Sequence, residues 1–241
     1  MLSRFATQLI SCILGEWLVP VDWVKLDAAV CGIHRLVLFE CFRHFPLYFE
    51  GALCKRAPTL SSLAWIRARN LTTDIPCLGI SANDFQVFQK YPANIRSSVL
   101  EGLDRTLLLC LNLLDIDVDS ILQIFHSLRC LSALICSHAN DTISSLVNLQ
   151  GIHVCEIVSS PQITDEGLTR LYDCMPVLQS LVLKNCIGLT SRSIDYIFKH
   201  PKSLCDLRIT RCHLTVTELA QLQFPDANMI VSIGVEQIGD L

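Results

Sequence analysis

Charge is scarce in this chain. Of 241 residues, only 17% are Asp, Glu, Lys or Arg, against 51% hydrophobic. That balance excludes a disordered or solvated tail. Long apolar runs are also missing. The longest candidate, "TLLLCLNLL" at 106–114, is nine residues and ends in "DIDVD", well short of the ~20 residues that span a bilayer. A basic face is missing from the second part of the chain. Residues 1–100 hold 10 Lys+Arg and 7 Asp+Glu, net +3, while residues 101–241 hold 9 and 16, net −7. A duplex-binding surface needs the opposite sign, so neither nucleic acid nor membrane is expected as a partner. The N-terminal "MLSRFATQLISCILGEWLV" does not read as a secretory leader, because Gln8 and Glu16 interrupt its apolar stretch and no small-x-small cleavage site follows. Phosphate-loop, dinucleotide, zinc-protease and nucleophile-elbow patterns are all absent. The expectation is binding without chemistry and without a cofactor.

Cysteine, by contrast, is abundant. The 13 cysteines are odd in number and sit mostly inside apolar periodic segments. They read as reduced, buried thiols acting as small hydrophobes, which suits a cytoplasmic or nuclear setting. Two of them mark a repeat. "LQSLVLKNCIGLT" at 178–190 is followed 26 residues later by "LCDLRITRCHLT" at 204–215. Numbering from Leu178, the template L-x-x-L-x-L-x-x-C takes Leu178, Leu181, Leu183 and Cys186, then Leu204, Leu207, Ile209 and Cys212. Ile230, Ile233, Val235 and Ile238 repeat the spacing. Upstream, Leu149, Ile152, Val154 and Ile157 fit it, Leu131, Leu134, Cys136 and Ala139 fit it less fully, and Leu108, Cys110 and Leu113 suggest a degenerate copy.

A second half repeats as well. Thr164, Thr190 and Thr215 each precede a helical pattern with apolar pairs at i, i+3: Leu168 and Leu171, Ile194 and Ile197, Leu219 and Leu222. Each threonine, or its neighbour, suits an N-cap, and Pro176 and Pro201 turn the chain back. One unit is therefore a short strand, a turn and a helix. Positions 4 and 6 point inward, and a unit can bury that face only by stacking on its neighbours. Position 9 turns inward and meets its counterpart in the next coil, a slot for a small residue that can donate or accept a hydrogen bond. The stretch 131–149 is too short for a full helix. No capping sequence is evident after Asp240-Leu241, leaving an exposed last strand, a fragment of a longer chain or a short gene product as the alternatives.

In period and pattern, residues 105–241 resemble the leucine-rich-repeat family, and position-9 Cys with Cys174 four residues before Leu178 resembles its cysteine-containing subclass; His200 replaces that second Cys in the following repeat. The resemblance implies an α/β solenoid, a right-handed horseshoe of about five units. Its concave face would carry Gly151, His153 and Cys155, then Ser180, Val182 and Lys184, then Asp206, Arg208 and Thr210. Of these, His153, Ser180, Val182, Lys184, Asp206, Arg208 and Thr210 are the candidate partner-binding residues.

Residues 1–58 lack the repeat and have helical apolar spacing. Their segment "LISCILGEWLVPVDWVKLDAAVC" (9–31) resembles an F-box through Leu9-Ile10, Ile13-Leu14, Leu18, Asp22, Leu26 and Val30-Cys31. It lacks the Leu-Pro opening and the Trp after the Cys. The resemblance implies that Leu9, Ile10, Ile13, Leu14, Leu18, Leu26 and Val30 bind a Skp-type linker subunit of a cullin-based ubiquitin ligase of the SCF type, with the repeats presenting a protein substrate. The alternative is a helical cap over the first repeat, in a stand-alone interaction scaffold. Residues 59–104 read as irregular first repeats: a helix at "LSSLAWIRARNL" with Leu60, Leu63 and Ile66 buried, and a strand at "IPCLGIS".

Two stretches carry metal-ligating residue types. Cys31/His34 and Cys41/His44 flank the helix-compatible "RLVLFE", which holds the pairs about 15 Å apart on a straight helix, so they cannot share one ion. "DIDVDS" (115–120) lacks the Gly and Glu of a calcium loop and reads as a strand-to-helix turn. No metal is expected.

Overall fold

The computed structural model describes residues 57–69, 75, 77–116, 118–146, 149–214 and 229–234. The chain divides into two compact units between Cys110 and Leu111. In the first, α1 (Leu60–Arg67) buries Leu60, Leu63, Ala64 and Ile66 against α2 (Ala82–Gln89) and α3 (Ala93–Glu101). Its start is doubly capped. Thr59 accepts from the Ser62 backbone N–H and donates its own N–H to Ser62 Oγ. Asp84, buried in α2, accepts from the backbone of Leu60 at 2.9 Å and of Ser61 at 3.1 Å, placing a carboxylate at the positive helix end. The expected strand is β1 (Cys77–Ile80), bridged in parallel to Thr59 through Gly79.

The remaining strands are β2 (Leu108–Asn112), β3 (Ala133–Ser137), β4 (Val154–Val158), β5 (Ser180–Lys184), β6 (Asp206–Thr210) and β7 (Ile230–Gly234). The fold is α/β, and in the second unit β3 to β7 lie in one sheet in chain order. From β3 to β7 every pairing is parallel. Parallel neighbours need a crossover, supplied after β2 by α4 (Val118–Ser127), after β4 by α5 (Asp165–Asp173) and after β5 by α6 (Ser191–Lys199). Between β3 and β4 only two 3₁₀ turns, Asp141–Ser145 and Leu149–Gly151, make the return, as expected for a stretch too short for a full helix. The acidic segment after β2 does turn the chain into α4.

Register corrects the phase of three copies. Cys155, Leu181 and Leu207 are partners across β4, β5 and β6, as are Ile157, Leu183 and Ile209, so the spacing is 26 residues throughout. In β4 the inward pair is Cys155 and Ile157, not Ile152 and Val154; Val154 is 41% exposed. The template there reads Ile152, Cys155, Ile157, Ser160. In β7 Val231 and Ile233 face Leu207 and Ile209, and Ile230 is 66% exposed; Val235 and Ile238 lie outside the described residues. In β2 the Leu113 N–H donates to Ser137 O at 2.9 Å, the bond that Ser159 makes to Lys184 and Asn185 to Thr210. This places Leu109 and Leu111 on the inward row. Leu108 is half-buried, although Cys110 and Leu113 are also covered. Leu131, Leu134, Cys136 and Ala139 are all buried as expected.

Two hydrogen-bond ladders fix the coil-to-coil spacing. Position 9 is filled by Ala139, Ser160, Cys186 and Cys212. Ser160 Oγ accepts from Ala139 N–H at 2.9 Å and donates to Val158 O at 3.0 Å. Cys186 Sγ lies 3.5 Å from Lys184 O and 3.6 Å from Ile157 O, and Cys212 Sγ lies 3.6 Å from Thr210 O and 3.9 Å from Leu183 O. The preceding residue is left-handed in each coil: His138, Ser159, Asn185 and Arg211 have φ of 48–55°. On the helix side, Thr164 and Thr190 are N-caps. Each gives its N–H and hydroxyl to the aspartate that opens the preceding helical segment. Thr164 bonds Asp141 at 2.8 and 2.7 Å, and Thr190 bonds Asp165 at 2.8 and 2.6 Å. Thr215, Leu219 and Leu222 lie outside the described residues.

Candidate functional site

Strand alternation sends every second residue of β3–β7 away from the core. Three rows result. The first is Ala133, Val154, Ser180, Asp206 and Ile230; the second is Ile135, Glu156, Val182, Arg208 and Ser232; the third is Ser137, Val158, Lys184, Thr210 and Gly234. Six of the seven sequence-derived candidates, Ser180, Val182, Lys184, Asp206, Arg208 and Thr210, are brought together on this face. His153 is exposed but precedes β4, and Gly151 lies in the 3₁₀ turn before it. Cys155 is fully buried, so it belongs to the core. The phase error hid Val154, Glu156 and Val158, which occupy the β4 positions of the face. Requiring a 26-residue spacing at Leu181 and Leu183 would have found them.

The face is electrically balanced. Lys184 Nζ meets Glu156 Oε1 at 2.7 Å. Arg208 holds Asp206 through Nε and Nη2, both at 3.1 Å, and Ser180 Oγ donates to the same carboxylate at 3.0 Å. All four charged side chains of the three rows are thus neutralised by one another. Of the uncharged residues, Ala133, Ile135, Val154, Val158 and Val182 run across β3–β5 and Ile230 lies on β7, while Ser137, Ser180, Thr210, Ser232 and Gly234 make up the rest. Such a surface suits apolar side chains of a polypeptide more than a charged ligand.

A second concentration of titratable groups gathers at the ends of α5 and α6. Tyr172 is buried and its hydroxyl donates to His200 O at 2.7 Å. Burial, then the nearby Asp173 and Tyr196, pushes its pKa up to about 12. Lys202 Nζ bonds Tyr172 O and Asp173 Oδ1, both at 3.0 Å, and sits 4.4 Å over the Tyr172 ring. Partial burial alone would raise Asp173, but hydrogen bonds from Lys202 and Tyr196 hold it below the usual carboxylate range. Every group here is committed to a neighbour, so the cluster ties successive helix ends together.

Among the described residues no group of three His, Cys, Asp or Glu could hold a metal ion, and no helix is long and apolar enough to cross a membrane. None of the nine cysteines among them forms a disulfide. Burial and then Glu156 push the Cys155 thiol up to about 12, which keeps it protonated and inert. The F-box-like residues Leu9, Ile10, Ile13, Leu14, Leu18, Leu26 and Val30, like Cys31, His34, Cys41 and His44, lie outside the described residues.

No protein-family model matches the chain, and neither does any curated protein.

Proposed function

We propose that this chain is a leucine-rich-repeat adaptor that binds a protein through the outer face of β3–β7. In this reading residues 9–31 engage a Skp-type linker subunit and present the bound protein to a cullin-based ubiquitin ligase. The binding half rests on one observation: a face whose charges cancel in two ion pairs beside a run of aliphatic side chains, of which Val154 and Ile230 are exposed and the others half-buried. The ligase half rests on the F-box resemblance alone. No catalytic role is proposed.

One experiment separates the halves. The full chain is presented to a purified Skp-type linker protein beside a Leu14→Asp/Leu18→Asp variant, with circular dichroism to check that both are folded. Capture by the wild type and loss in the variant is the expected result. A folded wild type that does not bind removes the ligase and leaves a stand-alone repeat scaffold acting through the same face.

A further inference from the structure

We propose that Cys186 and Cys212 form a redox-active dithiol, a modification site that closes to a disulfide between successive coils when it meets a low-molecular-weight disulfide such as oxidised glutathione. Both occupy position 9, two residues beyond the register partners Lys184 and Thr210. Parallel strands lie about 4.8 Å apart, within the Cα separation of roughly 4.4–6.8 Å that a disulfide accepts. Both follow a left-handed residue, Asn185 or Arg211, and both sulfurs hang under equivalent carbonyls of their own and the preceding coil. Within β3–β6 no other cysteine faces a second one: Cys136 lies opposite Ile157, and Cys155 lies between Leu134 and Leu181.

The members of the pair differ, and the difference sets the order of events. Cys186 is fully covered, whereas Cys212 is partly exposed. The neighbouring Cys212 thiol, and then burial, push the Cys186 pKa up. On Cys212 the neighbouring Cys186 side chain outweighs the opposing effect of burial and brings the thiol down to about 7. Cys212 therefore attacks first. Its thiolate bonds one sulfur of oxidised glutathione, the glutathione S–S bond breaks, and the departing thiolate takes a proton from water. Cys186 then loses its proton to solvent as its sulfur attacks the Cys212 sulfur, expelling the second glutathione thiolate, which is protonated in turn. Two protein thiols and one oxidised glutathione give one protein disulfide and two reduced glutathiones.

The test uses the folded full chain, incubated with oxidised glutathione, alkylated, digested and mapped by mass spectrometry without reduction. The wild type should yield a peptide pair joined through Cys186 and Cys212. Cys186→Ser should stop at a glutathione adduct on Cys212, and Cys212→Ser should leave Cys186 unmodified. Ser160 already fills the same slot one coil earlier, so serine suits the position; the wild-type map alone decides if either variant misfolds. A wild type that carries only a Cys212 adduct, a Cys212 that does not react, a bridge to Cys205 in place of Cys186, or a bridge that forms only in urea would each overturn the assignment.

Discussion

Gly188 marks a close approach of two coils. A Cβ built there would fall 2.5 Å from Ile163 O and 2.8 Å from Pro161 O, both backbone atoms that cannot swing aside. Gly188→Ala should destabilise the chain by about 1–3 kcal/mol, the range for overpacking, read as a lower urea midpoint. At Gly79 the nearest neighbour would be 3.5 Å away, so Gly79→Ala is a control expected to stay close to wild type. Asp165 carries a pH dependence. Partial burial raises its pKa, but hydrogen bonds from Thr190 and Ser193 outweigh that and hold it below the ordinary value. The unfolded chain therefore binds the proton more readily, so this stabilisation is present above the unfolded pKa, near 3.9, and is lost as pH falls through the lower folded one. Asp165→Asn should lower the urea midpoint at pH 6 and converge on the wild type as pH falls through the lowered folded-state pKa. A gap that persists undiminished into acid would show that the carboxylate's charge is not what Thr190 recognises. The left-handed position shows why such detail is hard to read from sequence. Its four occupants are His138, Ser159, Asn185 and Arg211, with no glycine to announce it.

At the scale of one coil, the alternation in β5 makes a sharp contrast. Leu181 and Leu183 are fully covered and Val182 between them is not. Leu181→Ala should cost about 2–5 kcal/mol, whereas Val182→Thr should stay within about 0.5 kcal/mol, both measured by chemical unfolding. The two coils bearing Cys186 and Cys212 were legible because their apolar residues are bulky and evenly spaced. The β4 coil was misread because its inward pair is Cys155 and Ile157 while Val154, an exposed residue, looks more like core than Cys155 does. Strand periodicity is two, so an odd slip exchanges the faces, and it moved Val154, Glu156 and Val158 out of view. Helix starts fared better. Thr164 and Thr190 were visible as caps, though their second role, binding the aspartate one coil back, depends on a register that only the fold supplies.

Over the whole chain, net charge and the outer face of β3–β7 are separated. Residues 101–241 carry net −7, yet the three rows on β3–β7 hold two acids and two bases paired with each other. Association through this face should therefore respond weakly to salt. A partner's Kd should change less than about threefold between 50 and 500 mM NaCl, since screening acts on net charge. Val154→Lys/Val182→Lys should abolish capture without unfolding the chain, measured by pull-down beside circular dichroism. A steep salt dependence would mean that the ion pairs open to receive a charged ligand. The α/β class and the parallel strands of β3–β7 were apparent from the sequence; the outer face was not, because its side chains are individually ordinary and gain meaning only when five strands align them.

Residues 152–177 form one complete period, with an inward pair, a Ser160 rung, a Thr164 cap and an Asp165 receptor for the next cap. Nothing in that segment depends on how many coils stand on either side. A tandem copy inserted after residue 177 would find a carboxylate waiting for its threonine and offer one to Thr190. The chain can thus lengthen by gene-internal duplication in steps of 26 residues, each step adding a further Val-Glu-Val strip to the surface without redesigning the rest.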